Sequence, residues 1–137
     1  GPGAVLFTEE FYRCCKRCLN KGGIMVTQSG VPVFQPAELA GTVKRLRSLF
    51  KDAVCTVAAI PTYVGGFMAM GFASDDKRHR AASEKTIAER YRWAGSFPTQ
   101  YWTPAVHKAA FALPRFIADV VAPPGIPAVE GLTDVSR

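Results

Sequence analysis

Long apolar runs are missing from this sequence. No stretch reaches the ~18 consecutive apolar residues of a membrane-spanning helix, so none is expected, and no signal peptide is visible. Histidine is scarce at 2 residues, and the 4 cysteines fall in no paired metal-ligand spacing. Cys14, Cys15 and Cys18 sit together on a predicted helix, where Cys14 and Cys18 share a face, and Cys55 falls in a predicted strand. Two thiols on a face are too few for a closed zinc site, and a disulfide within one helical turn is poor geometry. Reduced, partly buried thiols and no bound metal are expected, as in a cytoplasmic protein. Acidic residues are outnumbered, 11 against 17 Lys and Arg, for a formal net charge of +6. The surplus is spread over predicted helix faces and residues 75–85, not gathered in a stripe. That pattern is solvated surface, and nucleic-acid binding is not expected.

What is present suits one α/β domain of 137 residues. The chain starts Gly1-Pro2-Gly3 without methionine. That start reads as a processed chain, the middle of a longer protein, or a tag scar. Residues 1–7 are expected to be extended. Thr8 is placed to cap a helix, with Glu9 and Glu10 in its first turn and Lys16 and Arg17 in its last. Phe11, Cys15, Cys18 and Leu19 form its apolar stripe, and Gly22-Gly23 suits a left-handed stop. Ile24 to Thr27 is apolar without alternation, the pattern of a strand buried on both faces, as in a parallel sheet. Pro36 opens a second helix, with Leu39, Val43, Leu46 and Phe50 on one face. Helices are also expected over 83–94, with contacts from Ile87, Tyr91 and Ala94, and from Thr103 through Leu113. A further turn or helix follows Pro114. His79 reads as a surface residue and His107 as a buried structural histidine.

The centre of the chain is Ile60-Pro61-Thr62-Tyr63-Val64-Gly65-Gly66-Phe67. Apolar runs of strand length, 54–60 and 67–73, enter and leave it. Pro61 ends the first strand because it cannot donate to a ladder, and the two glycines turn the chain back. The unit is an antiparallel pair whose loop presents the Tyr63 phenol, free to meet a ligand or to pack on a neighbour. Gln28 closes the preceding strand, and ligands of open α/β sheets bind beyond the carboxyl ends of strands. Nothing upstream covers the outer edge of Ile24–Thr27, so the sequence asks for a partner that supplies more sheet.

Several segments, in order, carry a family resemblance. They are Gly1-Pro2-Gly3 with Val5-Leu6-Phe7, Phe11-Tyr12, Cys15 to Leu19, Gly22-Gly23-Ile24 with Val26-Thr27-Gln28, Ala58 to Tyr63 with Gly65-Gly66, and His107 with Ala109 to Pro114. The chain resembles the second half of the bacterial spermidine synthases, the polyamine aminopropyltransferases, over roughly residues 1–117. The resemblance implies the second half of a Rossmann-like, methyltransferase-type sheet flanked by helices. It implies transfer of an aminopropyl group from decarboxylated S-adenosylmethionine to putrescine, with no metal or bound cofactor. Pro2 and Gly3 would lie on a loop closing over the nucleoside and Leu6 would line the same pocket. Gln28 and Tyr63 would hold the diamine, Tyr63 next to the reacting amine. The expected partners are the two substrates, a missing N-terminal half and a second copy of the enzyme.

The departures from the family are as informative. Its glycine-rich nucleotide turn, its ribose-binding acid and the Asp-rich segment expected before Gly1 are absent, and Ala4 replaces an acidic residue. With a charge of +6 and no acidic cluster, this chain alone would not bind a dication. The expected organisation is half of a catalytic domain over 1–121 and a mobile Pro/Gly-rich tail over 122–137, inactive in isolation. The alternative is a non-catalytic interaction or dimerisation module derived from the same fold.

Overall fold

The computed structural model describes residues 2–123. Its first element is a 3-10 helix, Pro2–Phe7, where extended chain was expected. Its side chains are exposed, so neither residue alternation nor a buried face marks it in the sequence. Helix α1, Glu9–Cys18, starts as expected: the Thr8 hydroxyl accepts from Phe11 N at 3.2 Å, and Glu9 and Glu10 meet the positive end of the helix. The buried face differs from the predicted stripe. Tyr12 is fully buried, Phe11 and Leu19 pack around it, and Cys18 is exposed. The helix closes at Leu19 with extended backbone, so the left-handed residue Gly22 (φ 73°) turns the chain into the next strand and does not cap the helix.

Strand β1, Ile24–Gln28, is followed by α2, Pro36–Leu49, β2, Asp52–Ala59, and β3, Phe67–Ser74. Pro36 stands in the first turn of α2. Leu39, Val43 and Leu46 are fully buried and Phe50 nearly so, the face predicted from their spacing. This face lies on β2 and β3. A Cβ at Gly71 would stand 2.7 Å from Leu46 Cδ1 and 3.1 Å from Thr42 Cγ2, so glycine is what lets α2 approach β3 this closely. Beyond α2, helix α6, Arg115–Val121, buries Ile117 and Val121 against Leu39, Val43, Cys55 and Ala69.

The sheet order is β1-β3-β2, with both pairings antiparallel. The parallel, doubly buried setting expected for β1 is therefore corrected. It is an antiparallel edge strand, with Ile24 42% and Val26 60% exposed. The run is as apolar as a central strand, but among the described residues no element covers its outer edge. The opposite edge is engaged at two points: Val57 N donates to Ala110 O and Ala59 N to Tyr101 Oη, both at 3.0 Å. Those acceptors belong to the segment around α5, Pro104–Ala109, which ends four residues earlier than the expected helix. Phe111 then meets Phe72 edge-on, 5.1 Å between centroids, on the face of the sheet away from α2.

Between β3 and α5 lie a short helix α3, Arg78–Ala81, and α4, Glu84–Trp93, capped by Ser83. Ile87 is buried and Tyr91 half-buried, but Ala94 is exposed, because the helix ends at Trp93 and the chain turns away at Gly95 (φ 96°). Arg80 of α3 holds the buried Asp52 carboxylate through a forked pair at 2.7–3.1 Å. His79 is a partly buried strut, not a free surface residue. Its Nε2 lies 2.7 Å from Gly22 O and ties α3 to the turn before β1. The predicted tail falls almost wholly outside the described residues.

Candidate functional site

Strands β1 and β2 both run antiparallel to β3, so their carboxyl ends share one end of the sheet. Gln28 is the last residue of β1 and is exposed. The ladder continues past it: Ser29 N donates to Ala69 O and Ala69 N to Gly30 O, both 2.9 Å, while the buried Ser29 hydroxyl accepts from Gly71 N at 3.0 Å. Tyr63 stands in a tight turn at the same end. Ile60 N donates to Gly66 O (2.8 Å), Tyr63 N to Ile60 O (3.0 Å) and Gly66 N to Tyr63 O (3.0 Å). Gly65 (φ 98°) and Gly66 (φ 73°) supply the left-handed backbone this turn requires. The Tyr63 side chain is 45% exposed, and its hydroxyl makes no hydrogen bond among the described residues.

The two loops touch. A Cβ at Gly65 would lie 3.1 Å from Val31 Cγ1 and 3.3 Å from Phe34 Cε2, so the Tyr63 turn rests on the segment that follows Gln28. The 3-10 helix reaches the same region from the other side. Gly3 and Phe7, with Ser29 at the strand end and Glu38, Thr42 and Arg45 of α2, line an open groove of about 390 Å³. Gly3 is thus brought to the end of β1. Pro2 and Leu6 stay exposed on the 3-10 helix, and no hydrogen bond joins Gln28, Tyr63 and that helix. The charges lining the groove are one carboxylate, Glu38, and one guanidinium, Arg45, which is no attraction for a dication.

A larger groove, about 560 Å³, lies at the opposite end of the sheet, between the α1–β1 turn and the segment after β3. Sequence reasoning did not single it out. Its carboxylates are already engaged: Asp75 pairs with Lys16 at 2.9 Å, and the hydrogen bond from Lys16 holds its carboxyl below the usual range. Asp76 is held low by Arg78 in the same way. His107 belongs to an aromatic cluster with Trp102, Tyr91 and Phe111. It is half-buried, less than the expected full burial, and Trp102 Nε1 donates to its Nδ1 at 3.2 Å. Burial, then the charge of Lys108, lowers its pKa. The four cysteines are unpaired, and burial pushes the Cys55 thiol up to about 11. Among the described residues no three His, Cys, Asp or Glu side chains gather as metal ligands, and no helix is long and apolar enough to cross a membrane.

The family model described as the spermine/spermidine synthase domain matches residues 1–83. A polyamine aminopropyltransferase of a Ruegeria species is 50% identical over 117 residues, 85% of this chain and 41% of the relative. One from Pseudomonas syringae is 45% identical over 121 residues, 88% of this chain and 42% of the relative. Among solved structures, a spermidine synthase in complex with the transition-state analogue AdoDATO superposes with a TM-score of 0.78 at 26% identity, over 88% of this chain and 40% of that one. The Thermotoga maritima spermidine synthase gives a TM-score of 0.77 at 26% identity. The chain spans about two-fifths of the length of these proteins.

Proposed function

The chain belongs to the spermine/spermidine synthase family, and from that membership we infer that it forms the carboxyl-terminal part of a polyamine aminopropyltransferase. The reaction is transfer of an aminopropyl group from decarboxylated S-adenosylmethionine to putrescine, giving spermidine and 5′-methylthioadenosine. The observation that carries the assignment of a site is the meeting of the Gln28 strand end and the Tyr63 turn at one end of the sheet. The attacking amine must be neutral. An amide oxygen and a phenol orient it without adding positive charge, and positioning supplies much of the rate because a sulfonium already leaves well. The proton goes to a carboxylate as general base. Among the described residues, the one carboxylate lining the groove at the end of β1 is Glu38, already hydrogen-bonded by Gln35 Nε2 at 2.9 Å, so the base is assigned to the part of the enzyme outside the match. Pro2, Gly3 and Leu6 close over the nucleoside from the 3-10 helix.

The bare edge of β1 is where that remaining part adds its strands. The complete enzyme is cytoplasmic, oligomeric and free of metal and bound cofactor. Two measurements test this assignment. The purified chain, given both substrates, should show no turnover. A rate near the ~1 per second of an ordinary enzyme would overturn the division of the site. In a chimera joining this chain to the unmatched part of the Ruegeria relative, Tyr63→Phe should lower kcat/KM for putrescine about five- to a hundred-fold, the size of one hydrogen bond to an amine. Unchanged putrescine kinetics would remove Tyr63 from the site. The same bare edge favours a second reading, a pairing module without catalysis, for which no chimera would turn over.

A further inference from the structure

Gln35 is the N-cap residue of α2, yet its side chain makes no capping hydrogen bond. It turns back into the preceding loop instead. Its Oε1 accepts from Val31 N at 3.0 Å, its backbone N–H donates to Val31 O at 2.9 Å, and its Nε2 donates to Glu38 Oε2 at 2.9 Å. Room for this amide exists because residue 30 is glycine. A Cβ there would stand 2.7 Å from Gln35 Oε1, and the backbone at φ 84° is left-handed. The Val31 backbone is thus held at its N–H by the Gln35 side chain and at its C=O by the Gln35 backbone. Val31 is buried, and its Cγ1 supports Gly65, two residues after Tyr63. Gly30, on which the amide lies, comes two residues after Gln28.

We propose that Gln35 is a positioning residue that sets the placement of Gln28 and Tyr63 relative to each other. It does so by fixing the 29–35 loop on which the Tyr63 turn rests. The proposal builds on the assignment of those two side chains to the diamine. Helix α2 gives up its own side-chain cap to hold the loop, a local cost with a return only if the loop's position matters.

The missing cap supplies the test. Gln35→Ser removes the side-chain tie to Val31 N, leaves the backbone bond to Val31 O in place and installs a good N-cap, so the chain should stay folded with an unchanged or higher Tm. By NMR of the 137-residue chain, the contact between the Val31 methyls and the Gly65 α-protons should be lost in Gln35→Ser. It should return in Gln35→Glu/Glu38→Gln, which keeps the acceptor for Val31 N and restores a donor at 38. In the chimera, Gln35→Ser should raise KM for putrescine about ten-fold, the scale of one misplaced hydrogen bond, with KM for decarboxylated S-adenosylmethionine unchanged. The exchanged pair should recover the parent value. An intact Val31–Gly65 contact in Gln35→Ser overturns the proposal. So does a lost contact with unaltered putrescine kinetics where Tyr63→Phe does alter them, or an equal rise in both KM values. If Tyr63→Phe is itself silent, the functional assignment fails, and the NMR contact still decides whether Gln35 holds the two loops together.

Discussion

Tyr12 shows how a single side chain can be well packed and still incomplete. It is fully buried among Leu46, Phe50, Ala53 and Ala73, yet its hydroxyl finds no hydrogen-bond partner among the described residues. A buried hydroxyl left unpaired costs about 1–3 kcal/mol. Tyr12→Phe keeps the ring and removes the cost, so stability should rise by about 1 kcal/mol, a Tm increase of a few degrees; a thermal melt showing a decrease would mean the hydroxyl is satisfied after all. The helical spacing around Tyr12 did not reveal its burial, because cysteine and tyrosine both pass as amphipathic and the stripe could be drawn through either. His107 gives a prediction of opposite kind. Burial and Lys108 depress its folded pKa below the ordinary 6.5, so below that pH the unfolded chain takes up the proton more readily than the folded one. Stability should therefore be level at and above about pH 7.5 and fall as pH drops through 6.5 toward the folded pKa. Urea midpoints at pH 7.5 and 5.5 should separate for the parent and converge for His107→Gln.

At the scale of elements, the longer helices and the strands were legible, and the 3-10 helix and α3 were not. The spacing of Leu39, Val43, Leu46 and Phe50 at intervals of four, three and four identified α2, and the paired apolar runs around Tyr63 identified β2 and β3. The 3-10 helix buries nothing and left no pattern, and α3 is only one turn long. The run Ile24–Thr27 was legible as a strand, but its direction relative to its neighbour was not. An unalternating apolar run reports what a strand is built to be covered by, and two of its residues remain exposed here. The contact of α2 on β3 depends on Gly71, a role no sequence pattern announced. Gly71→Ala places a methyl against Leu46, Thr27 and Thr42 at 2.7–3.1 Å. Two of these neighbours, Leu46 and Thr42, are buried with little room to retreat. A loss of about 1–3 kcal/mol is expected from such overpacking, read as a lower urea midpoint with an unchanged slope. An equal or higher midpoint would show that α2 can slide.

For the whole molecule, Gln28 at a strand end and Tyr63 in a loop at the rim of the sheet were legible one by one, while their sharing one end and the tie through Gln35, Val31 and Gly65 needed the folded structure. Side-chain contacts across a loop have no period to detect. The asymmetry of the sheet carries a last consequence. One edge is held at two points by Ala110 and Tyr101, while among the described residues the other is bare, and it is uncharged and free of proline from Ile24 to Gln28. Bare edges invite strand-to-strand growth, and two of them per molecule permit endless filaments. Among the described residues there is a single wholly bare edge, so any sheet built from it is a chain reaction with its terminator included. Two copies meeting edge to edge leave no β1 edge for a third. Sedimentation of the isolated chain at rising concentration should accordingly show monomer giving way to dimer and stopping there, and a Val26→Lys substitution should hold it at monomer.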